Sequence, residues 1–360
     1  MFAMFFVLTQ YLQFVLGYSA FEAGLRTLPY AAAMMVAAPL STCGREDVAG
    51  RGGEATLKAP RAVALYILNE KRGHLARLLG HVEGGHADRR LLLGHVDHEH
   101  ALARLGAHVE FCGPVGDDDT ADVFEQVLRR EGVGLSGLRR VPGATSSVSS
   151  IIVDRYGERM IFNAKGSALD APGPFDAAVM DGIDFVLVDP RCPAWAEAAL
   201  HEARRRGIPS MLDGEVSPRA DLQRLVPLAD WRVFSERGLL AWQDGVPEAL
   251  MQALVSQQPG QRVVRTLGAQ GVQWCDSQGR MHHLSAVQAG TVVDTLGAGD
   301  VFHAALALAL AEGQADGDAL RFAATAAAIK CSRPDGIAGA PTRAEVEALL
   351  GAMDARSSRA

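Results

Sequence analysis

The chain has 360 residues, of which 48% are hydrophobic and 21% charged, with a formal net charge of −7 and a mean hydropathy of +0.07. This length is enough for one large domain or two ordinary ones with a real core. An aromatic content of 6% with ordinary glycine and proline counts excludes a disordered, collagen-like or low-complexity chain. The acidic balance argues against nucleic acid as the main partner. Five scattered cysteines without a C-x-x-C pair indicate neither a disulfide framework nor a zinc site, which favours a reducing, cytoplasmic compartment.

Residues 1–41 form an apolar leader with only two charged residues, Glu22 and Arg26. Its apolar runs are each shorter than the ~20 residues that span a bilayer, and no basic residue precedes Arg26 as a secretory signal would require. The stretch TQYLQFVLGYSAFEAGLRTLP resembles part of the major facilitator multidrug transporters. This resemblance is too short for the two helical bundles that transport requires. We interpret the leader as foreign to the function of the chain; a membrane-associating, transporter-derived segment is the alternative.

Residues 42–105 form a His-rich segment that no pattern assigns. Residues 61–68, RAVALYIL, are short and apolar enough for a buried strand. The run HVDHEH offers His95, His98 and His100 as metal ligands, but their spacings do not place all three on one helical face. A solvated linker or non-native sequence is therefore the interpretation for this stretch, with a metal site as the alternative.

From Gly106 onward, short apolar runs alternate with longer helical stretches. Strands are predicted at 109–113, 148–154, 159–163, 184–189, 208–212, 232–235, 263–267 and 272–275. Helices are predicted at 120–131, 194–206, 218–228, 247–257, 300–312, 316–330 and 342–353. This alternation indicates an α/β fold with a doubly wound, mainly parallel sheet. The two successive strands within 145–163 predict a small β-hairpin, a candidate lid.

The sequence DTLGAGD at 294–300 carries the sharpest chemical signal. Gly297, Ala298 and Gly299 lie in the turn that opens a long helix, so their N–H groups point outward at the positive end of the helix dipole. Such a turn suits the charge on a transferring phosphoryl group. Asp300 follows, and a carboxylate there could accept the proton of an attacking hydroxyl. The alternative is that Asp300 is a plain N-cap and the glycines make a tight turn.

DTLGAGD resembles the C-terminal signature of the ribokinase-like (PfkB) carbohydrate kinases. Four further stretches resemble this family in the same order: LARLGAHVEFCGPVGDD, the lid-like RVPGATSSVSSIIVDRYGER, TLGAQG and AAAIKCSRPDGI. The resemblance covers residues 102–353. VFSER at 233–237, taken with IKCSRPDGI, is similar to ketohexokinase-like members and bacterial sulfofructose kinases.

The resemblance implies a role for each matching residue. Asp300 would be the general base, and the amides of Gly297, Ala298 and Gly299 would hold the γ-phosphate. Asp294 and Thr295 would lie near the ATP ribose or at a site for a monovalent cation such as K⁺. The other residues implied to bind the nucleotide are Thr266, Gly268, Gly271 and Lys330.

The metal and sugar sites match the family less well. Many members organise Mg²⁺ with an N-x-x-E motif, but here the chain reads Ser235-Glu236-Arg237-Gly238, so Glu236 is the candidate metal residue and an exposed helix-starting glutamate is the alternative. Gly84 and Gly85 resemble a relic of the sugar-binding G-G-N motif. Arg159 and Lys165 are candidates for contact with an anionic substrate group.

The implied protein is an ATP-dependent carbohydrate kinase that uses Mg²⁺ and phosphorylates a ketose-like sugar or a sugar acid. We expect a cytoplasmic kinase, with a homodimer as its expected assembly, that binds neither nucleic acid nor membrane. The expected organisation is a leader at 1–41, the unassigned segment 42–105 in place of the first strands, a kinase domain at 106–353, and a tail at 354–360. A catalytically impaired protein with a damaged sugar site, and a membrane-associated fusion, are the alternatives.

Overall fold

The computed structural model describes residues 90–93, 96–153, 159–164, 166, 169, 173–334 and 336–357. The predictions for the leader 1–41, the strand at 61–68, Gly84, Gly85 and Lys165 lie outside the described residues. Among the helices of the described part, none has the length and hydropathy needed to cross a bilayer.

In the described part of the chain, nine strands form one mainly parallel sheet. The strands are β1 (Arg90–Leu93), β2 (His108–Val115), β3 (Gly134–Arg140), β6 (Phe185–Val188), β7 (Ser210–Gly214), β8 (Trp231–Ser235), β9 (Arg262–Thr266), β10 (Val272–Cys275) and β11 (Met281–Leu284). Their order is β11-β10-β9-β8-β7-β6-β1-β2-β3. Within this order, every neighbouring pair between β9 at one side and β3 at the other is parallel. The strands β10 and β11 add to β9 as antiparallel neighbours and form one edge of the sheet. The chain runs outward from β1 to β3 and then from β6 to β9 in the other direction, so the order reverses beside β1 and β6.

Helices cover both faces of this sheet, which confirms the doubly wound α/β prediction. They are α1 (Val96–Arg104), α2 (Asp119–Arg130), α3 (Pro193–Arg206), α4 (Arg219–Leu225), α5 (Glu236–Trp242), α6 (Pro247–Gln257), α7 (Ala298–Ala311), α8 (Asp316–Cys331) and α9 (Arg343–Ser357). Alternate residues of the central strands enter different cores: Phe185 and Leu187 pack in the core on the α7 and α8 face, while Val186 and Val188 pack in the core on the α3 and α6 face. Strands that are buried on both faces are continuous apolar runs, as parallel strands are in such folds.

The predicted hairpin is present as a separate two-stranded sheet. β4 (Val148–Val153) and β5 (Arg159–Ala164) pair antiparallel, with Val148 opposite Ala164 and Val153 opposite Arg159.

The linker interpretation of the His-rich run is wrong over Val96–Arg104. This stretch is the helix α1, and His98, Glu99 and His100 are all buried in it. The reason is tertiary, because α1 packs against α7 and carries Ala101 and Leu102 into the core beside it. β1, which lies between β2 and β6, also comes from the segment that the sequence left unassigned.

Candidate active site

Helix α7 begins in an open turn at the carboxyl side of the sheet. Gly297 is its N-cap, with a left-handed φ of 76°, and no side chain caps the helix there. A Cβ atom at Gly299 would meet nothing within 4 Å, so space lies beside this turn. Asp300 lies in the first turn of the helix and is not the N-cap. Gly297 therefore offers the first amides of α7 no side-chain acceptor. The Ala298 amide donates to the Thr295 backbone oxygen at 3.3 Å, and amides at a helix N-terminus are donors for an anion.

The loop before α7 is fixed by an ion pair between a buried lysine and a partly exposed aspartate. Lys330, fully buried in α8, donates to the backbone oxygen of Asp294 at 2.8 Å and lies 3.2 Å from its carboxylate. The same carboxylate accepts from the amides of Leu296 and Gly336, each at 2.8 Å. Burial alone would raise the pKa of Asp294, but these amides and the Lys330 ammonium outweigh it and lower that pKa.

These contacts give two of the predicted nucleotide residues a role in the loop. Asp294 and Lys330 hold the loop that presents Gly297, and the ammonium of Lys330 is buried. The contacts of both residues with a nucleotide or a monovalent cation stay predictions. Thr295 lies between Asp294 and the turn, and its contact with a nucleotide stays a prediction.

Asp300 adjoins a buried cluster of two histidines and a carboxylate. His98 Nε2 lies 3.5 Å from Asp300 Oδ1 and 3.3 Å from Asp213 Oδ2, and His303 Nε2 lies 3.3 Å from Asp213 Oδ1. Asp300 is the partly open member, with 25% of its side chain exposed, whereas the other three side chains are at most 6% exposed. The cluster therefore lies directly behind the carboxylate that the sequence proposed as the general base.

The charges within this cluster support one another. Burial opposes a charge on His98, but the hydrogen bond to Asp213 and the negative charges of Asp300, Asp213 and Asp189 raise its pKa to about 9. Burial would also raise the pKa of Asp213, but His303 and His98 lower it. Without a metal ion, a positive imidazolium thus lies between the carboxylates of Asp213 and Asp300 at neutral pH.

The sequence analysis missed Asp213 and His303 as site residues. Asp213 directly follows the predicted strand 208–212, and polar residues at the carboxyl ends of parallel strands are where α/β folds place their ligand sites. His303 follows Gly299 by one helical turn in the DTLGAGDVFH stretch. Both signals were present, but only the packing of α1, β7 and α7 joins them.

His98 and His100, the two described histidines of the HVDHEH run, do not form a metal site together. His98 enters the cluster beside Asp300, whereas His100 Nδ1 lies 3.8 Å from Glu131. Burial and the nearby Arg104 lower the pKa of His100 to about 4. Residues two apart on a helix point in different directions, so these two imidazoles do not converge. His95 lies outside the described residues.

The turn after β9 holds three of the predicted nucleotide residues. Thr266 ends β9, and the turn closes through a 2.8 Å hydrogen bond from the Leu267 amide to the Gly271 oxygen. Gly271 has a φ of 94°, and a Cβ atom there would lie 2.1 Å from the Leu284 oxygen. Gly268 has a φ of 55°, with nothing within 4 Å of the corresponding Cβ position. The turn therefore has one crowded glycine and one that faces open space.

Glu236, the candidate metal residue, opens helix α5. Ser235 caps the helix by accepting from the Gly238 amide at 3.0 Å. The Glu236 carboxylate is 59% exposed and lies 3.8 Å from the Arg265 guanidinium. Gly238 approaches the Gly214 oxygen so closely that a Cβ atom would lie 1.9 Å from it, which seats the start of α5 on the carboxyl end of β7.

One predicted substrate residue lies in the described hairpin. Arg159 begins β5 and pairs with Val153 across it. Its contact with an anionic substrate group stays a prediction, as do those of Gly84, Gly85 and Lys165.

This fold and site are those of an α/β phosphotransferase: a doubly wound sheet, an open helix N-terminus at its carboxyl side, and a carboxylate in the first turn of that helix. The model of the pfkB family carbohydrate kinases matches residues 99–343, and the chain belongs to this family. It is 31% identical over 254 residues to the ribokinase of Bacillus subtilis (strain 168), covering 69% of this chain and 84% of that protein. Members of this family are sugar phosphotransferases.

Solved structures share the same architecture. An Agrobacterium tumefaciens protein named "putative ribokinase" superposes with a TM-score of 0.70 at 31% identity, covering 75% of this chain and 99% of that one. The ribokinase of Arabidopsis thaliana, solved with ribose and ATP, superposes with a TM-score of 0.63 at 21% identity, covering 73% and 99% of the two chains. The second likeness concerns the fold alone.

Proposed function

We propose that this carbohydrate kinase transfers the γ-phosphate of ATP to a primary hydroxyl of a ketose-like sugar or a sugar acid. The observation that carries the proposal is the pairing of the open N-terminus of α7 with the Asp300 carboxylate one turn inside it. The amides of Ala298 and Gly299 supply donors for the transferring phosphoryl group, and Asp300 supplies an acceptor for a proton.

The proposed reaction balances at these atoms. The sugar hydroxyl gives its proton to the Asp300 carboxylate, and its oxygen forms a bond to the γ-phosphorus. The bond between that phosphorus and the β–γ bridging oxygen breaks, and ADP leaves. His98 Nε2, 3.5 Å from Asp300 Oδ1, contributes a positive charge next to the carboxylate that accepts the proton.

Mg²⁺ fits the proposal as an ion that arrives with ATP. It requires oxygen ligands and retains several waters, so it needs few protein carboxylates; bound to the phosphates, it neutralises the charge that develops on them. Glu236 is the side chain we propose for its water shell, because its carboxylate is exposed and directly follows β8. The monovalent cation remains a prediction; the positive charge beside Asp294 in the described structure is that of Lys330.

Replacing the proposed base tests the function. Asp300→Asn should lower kcat by about three orders of magnitude, the usual scale for loss of a general base, while ATP binding measured by calorimetry stays unchanged. Turnover is followed as ADP release against a panel of aldoses, ketoses and sugar acids. Asp318→Asn is the matched control, because Asp318 also lies in the first turn of a helix, α8, but is exposed and remote from the site.

Two results would decide against the proposal. Undiminished turnover in Asp300→Asn would remove Asp300 from the reaction. A wild-type protein that binds ATP but phosphorylates no member of the panel would favour the catalytically impaired alternative. If the enzyme turns over aldopentoses faster than ketoses and sugar acids, the kinase assignment stays and the proposed substrate class changes.

The cytoplasmic location and the homodimer remain predictions.

A further inference from the structure

The cluster behind Asp300 has the composition of a transition-metal site. His98, Asp213 and His303 each offer one ligand atom, and these three atoms all lie within 4.8 Å of one another. They come from three elements, α1, β7 and α7, which the sheet and its covering helices hold in place. All three side chains are buried, so their positions are fixed by the packing around them.

The hydrogen bonds of His303 orient its lone pair toward the centre of the cluster. Its Nδ1 lies 2.8 Å from the Gly299 backbone oxygen, which can only accept, so Nδ1 carries the proton. Nε2 then faces Asp213 Oδ1 at 3.3 Å and the Val233 oxygen at 3.4 Å, which are also acceptors. A cation, either a second proton or a metal ion, must therefore lie at Nε2. In a metal-bound histidine, one ring nitrogen usually binds the metal and the N–H of the other donates a hydrogen bond, often to a backbone carbonyl.

The distances within the cluster leave room for a metal ion. His98 Nε2 lies 3.3 Å from Asp213 Oδ2, and His303 Nε2 lies 3.3 Å from Asp213 Oδ1, both longer than a charge-assisted N–H···O bond of about 2.7–2.9 Å. Ligand atoms at the corners of a tetrahedron around zinc, with bonds of about 2.0–2.1 Å, are about 3.3 Å apart. The Asp213 carboxylate thus faces each histidine with a different oxygen, at a separation that suits two ligands of one ion.

We propose that His98 Nε2, Asp213 and His303 Nε2 bind one divalent transition-metal ion of the zinc class. Imidazole nitrogens suit zinc and its neighbours, whereas Mg²⁺ prefers oxygen ligands, so this site is separate from the ion that accompanies ATP. The fourth side of the site faces Asp300, whose Oδ1 is 3.5 Å from His98 Nε2. Because Asp300 is the partly exposed member, the ion reaches the site from that side.

The test measures binding directly and does not depend on the kinase reaction. The full chain, stripped with a chelator, is titrated with Zn²⁺ against a chromophoric chelator and separately with Co²⁺, whose visible spectrum reports tetrahedral ligation. Because the chain has eleven histidines, other sites can also bind metal. The measurement therefore counts the tightly bound metal ions per chain and asks whether a variant binds one fewer. His303→Asn removes Nε2 and retains a donor near the position of Nδ1, and it should abolish one equivalent or weaken it at least about tenfold.

The controls separate loss of the site from loss of the fold. His201→Gln changes an exposed histidine of α3 and should retain every equivalent and the Co²⁺ spectrum. Circular dichroism of the metal-free variants checks folding; if His303→Asn does not fold, Asp213→Asn, which keeps the shape of the side chain, decides in its place. Unchanged equivalents and an unchanged Co²⁺ spectrum in the folded variant, or no tight equivalent in the wild type, would overturn the proposal and leave protons as the occupants.

A second measurement links this site to the proposed function, on which it rests. An ion bound beside Asp300 competes for the carboxylate that accepts the proton, so Zn²⁺ should inhibit ADP release reversibly, with a chelator restoring it. Binding without inhibition would keep the metal site and count against Asp300 as the base. Inhibition that persists in folded His303→Asn would place the inhibitory ion elsewhere.

Discussion

The buried ammonium of Lys330 holds the loop that leads into the candidate active site. Its ammonium is fully buried and contacts the backbone oxygen and carboxylate of Asp294, which in turn accepts from Leu296 and Gly336. Removing one partner of a buried pair leaves the other charge uncompensated. The loop ahead of Gly297 therefore depends on the buried ammonium of Lys330.

Replacing Lys330 tests this positioning role. Lys330→Met keeps most of the side-chain volume but removes the charge, and it should lower the free energy of unfolding by about 3 kcal/mol, measured by urea denaturation. It should also weaken ATP binding, because the amides of the α7 turn lose their fixed position. Lys330→Arg, which retains the charge, should recover part of both losses. A stable Lys330→Met with wild-type ATP affinity would contradict the role.

At the scale of the element, the turn between β9 and β10 requires a glycine at position 271. Gly271 combines a left-handed φ of 94° with a backbone oxygen, that of Leu284, only 2.1 Å from where a Cβ atom would lie. Gly268 in the same turn also has a positive φ but no neighbour within 4 Å. The two positions therefore differ in crowding and also in backbone conformation, because Gly271 has a ψ of −133°, outside the left-handed helical region.

The two alanine variants should differ in stability. Gly268→Ala should cost about 1 kcal/mol, the lower end of the scale for a non-glycine residue in this region. Gly271→Ala should cost more, about 3 kcal/mol, because β11 must also move away from the turn. Thermal unfolding monitored by circular dichroism compares the two. Equal costs would show that β11 yields without strain.

At the scale of the whole molecule, α7 joins the site to the core. Its residues Val301–Ala309 are buried on all sides of the helix, in contact with α1 and α8. A helix that is apolar all round belongs inside a protein, and this one carries Asp300 at its first turn. The position of Asp300 therefore depends on the packing of α7 in the core.

A truncation in the middle of α7 measures this dependence. Leu306, fully buried, should cost about 3 kcal/mol when replaced by alanine, through lost transfer energy and the cavity left behind. Leu240 on α5 is 41% exposed, and Leu240→Ala should cost less than about 1 kcal/mol. Urea denaturation followed by tryptophan fluorescence gives both values. Similar values for the two variants would contradict the core position of α7.

Most strands with a clear apolar pattern could be predicted from the sequence; β1 (RLLL), which lies in the segment left unassigned, was missed despite its apolar run. Phe185–Val188 and Val272–Cys275 are short apolar runs, and both are strands as predicted. β3 was missed because GLSGLRR has two glycines and no regular alternation, and β11 because MHHL is mostly polar. These two strands form where a neighbouring strand offers hydrogen bonds, which is a property of the assembled sheet.

The sequence by itself determined the α/β class, the DTLGAGD turn at the start of α7 and membership of a kinase family, because these depend on local periodicity and on a contiguous motif. Only the tertiary structure decided that Lys330 holds the loop before Gly297, that α1 is a buried helix, and that His98, Asp213 and His303 meet behind Asp300. These residues are separated by 115 and 90 positions along the chain, by subtraction of their numbers. No local pattern encodes such a meeting, because it arises when parallel strands and their covering helices bring distant segments to one edge of a sheet.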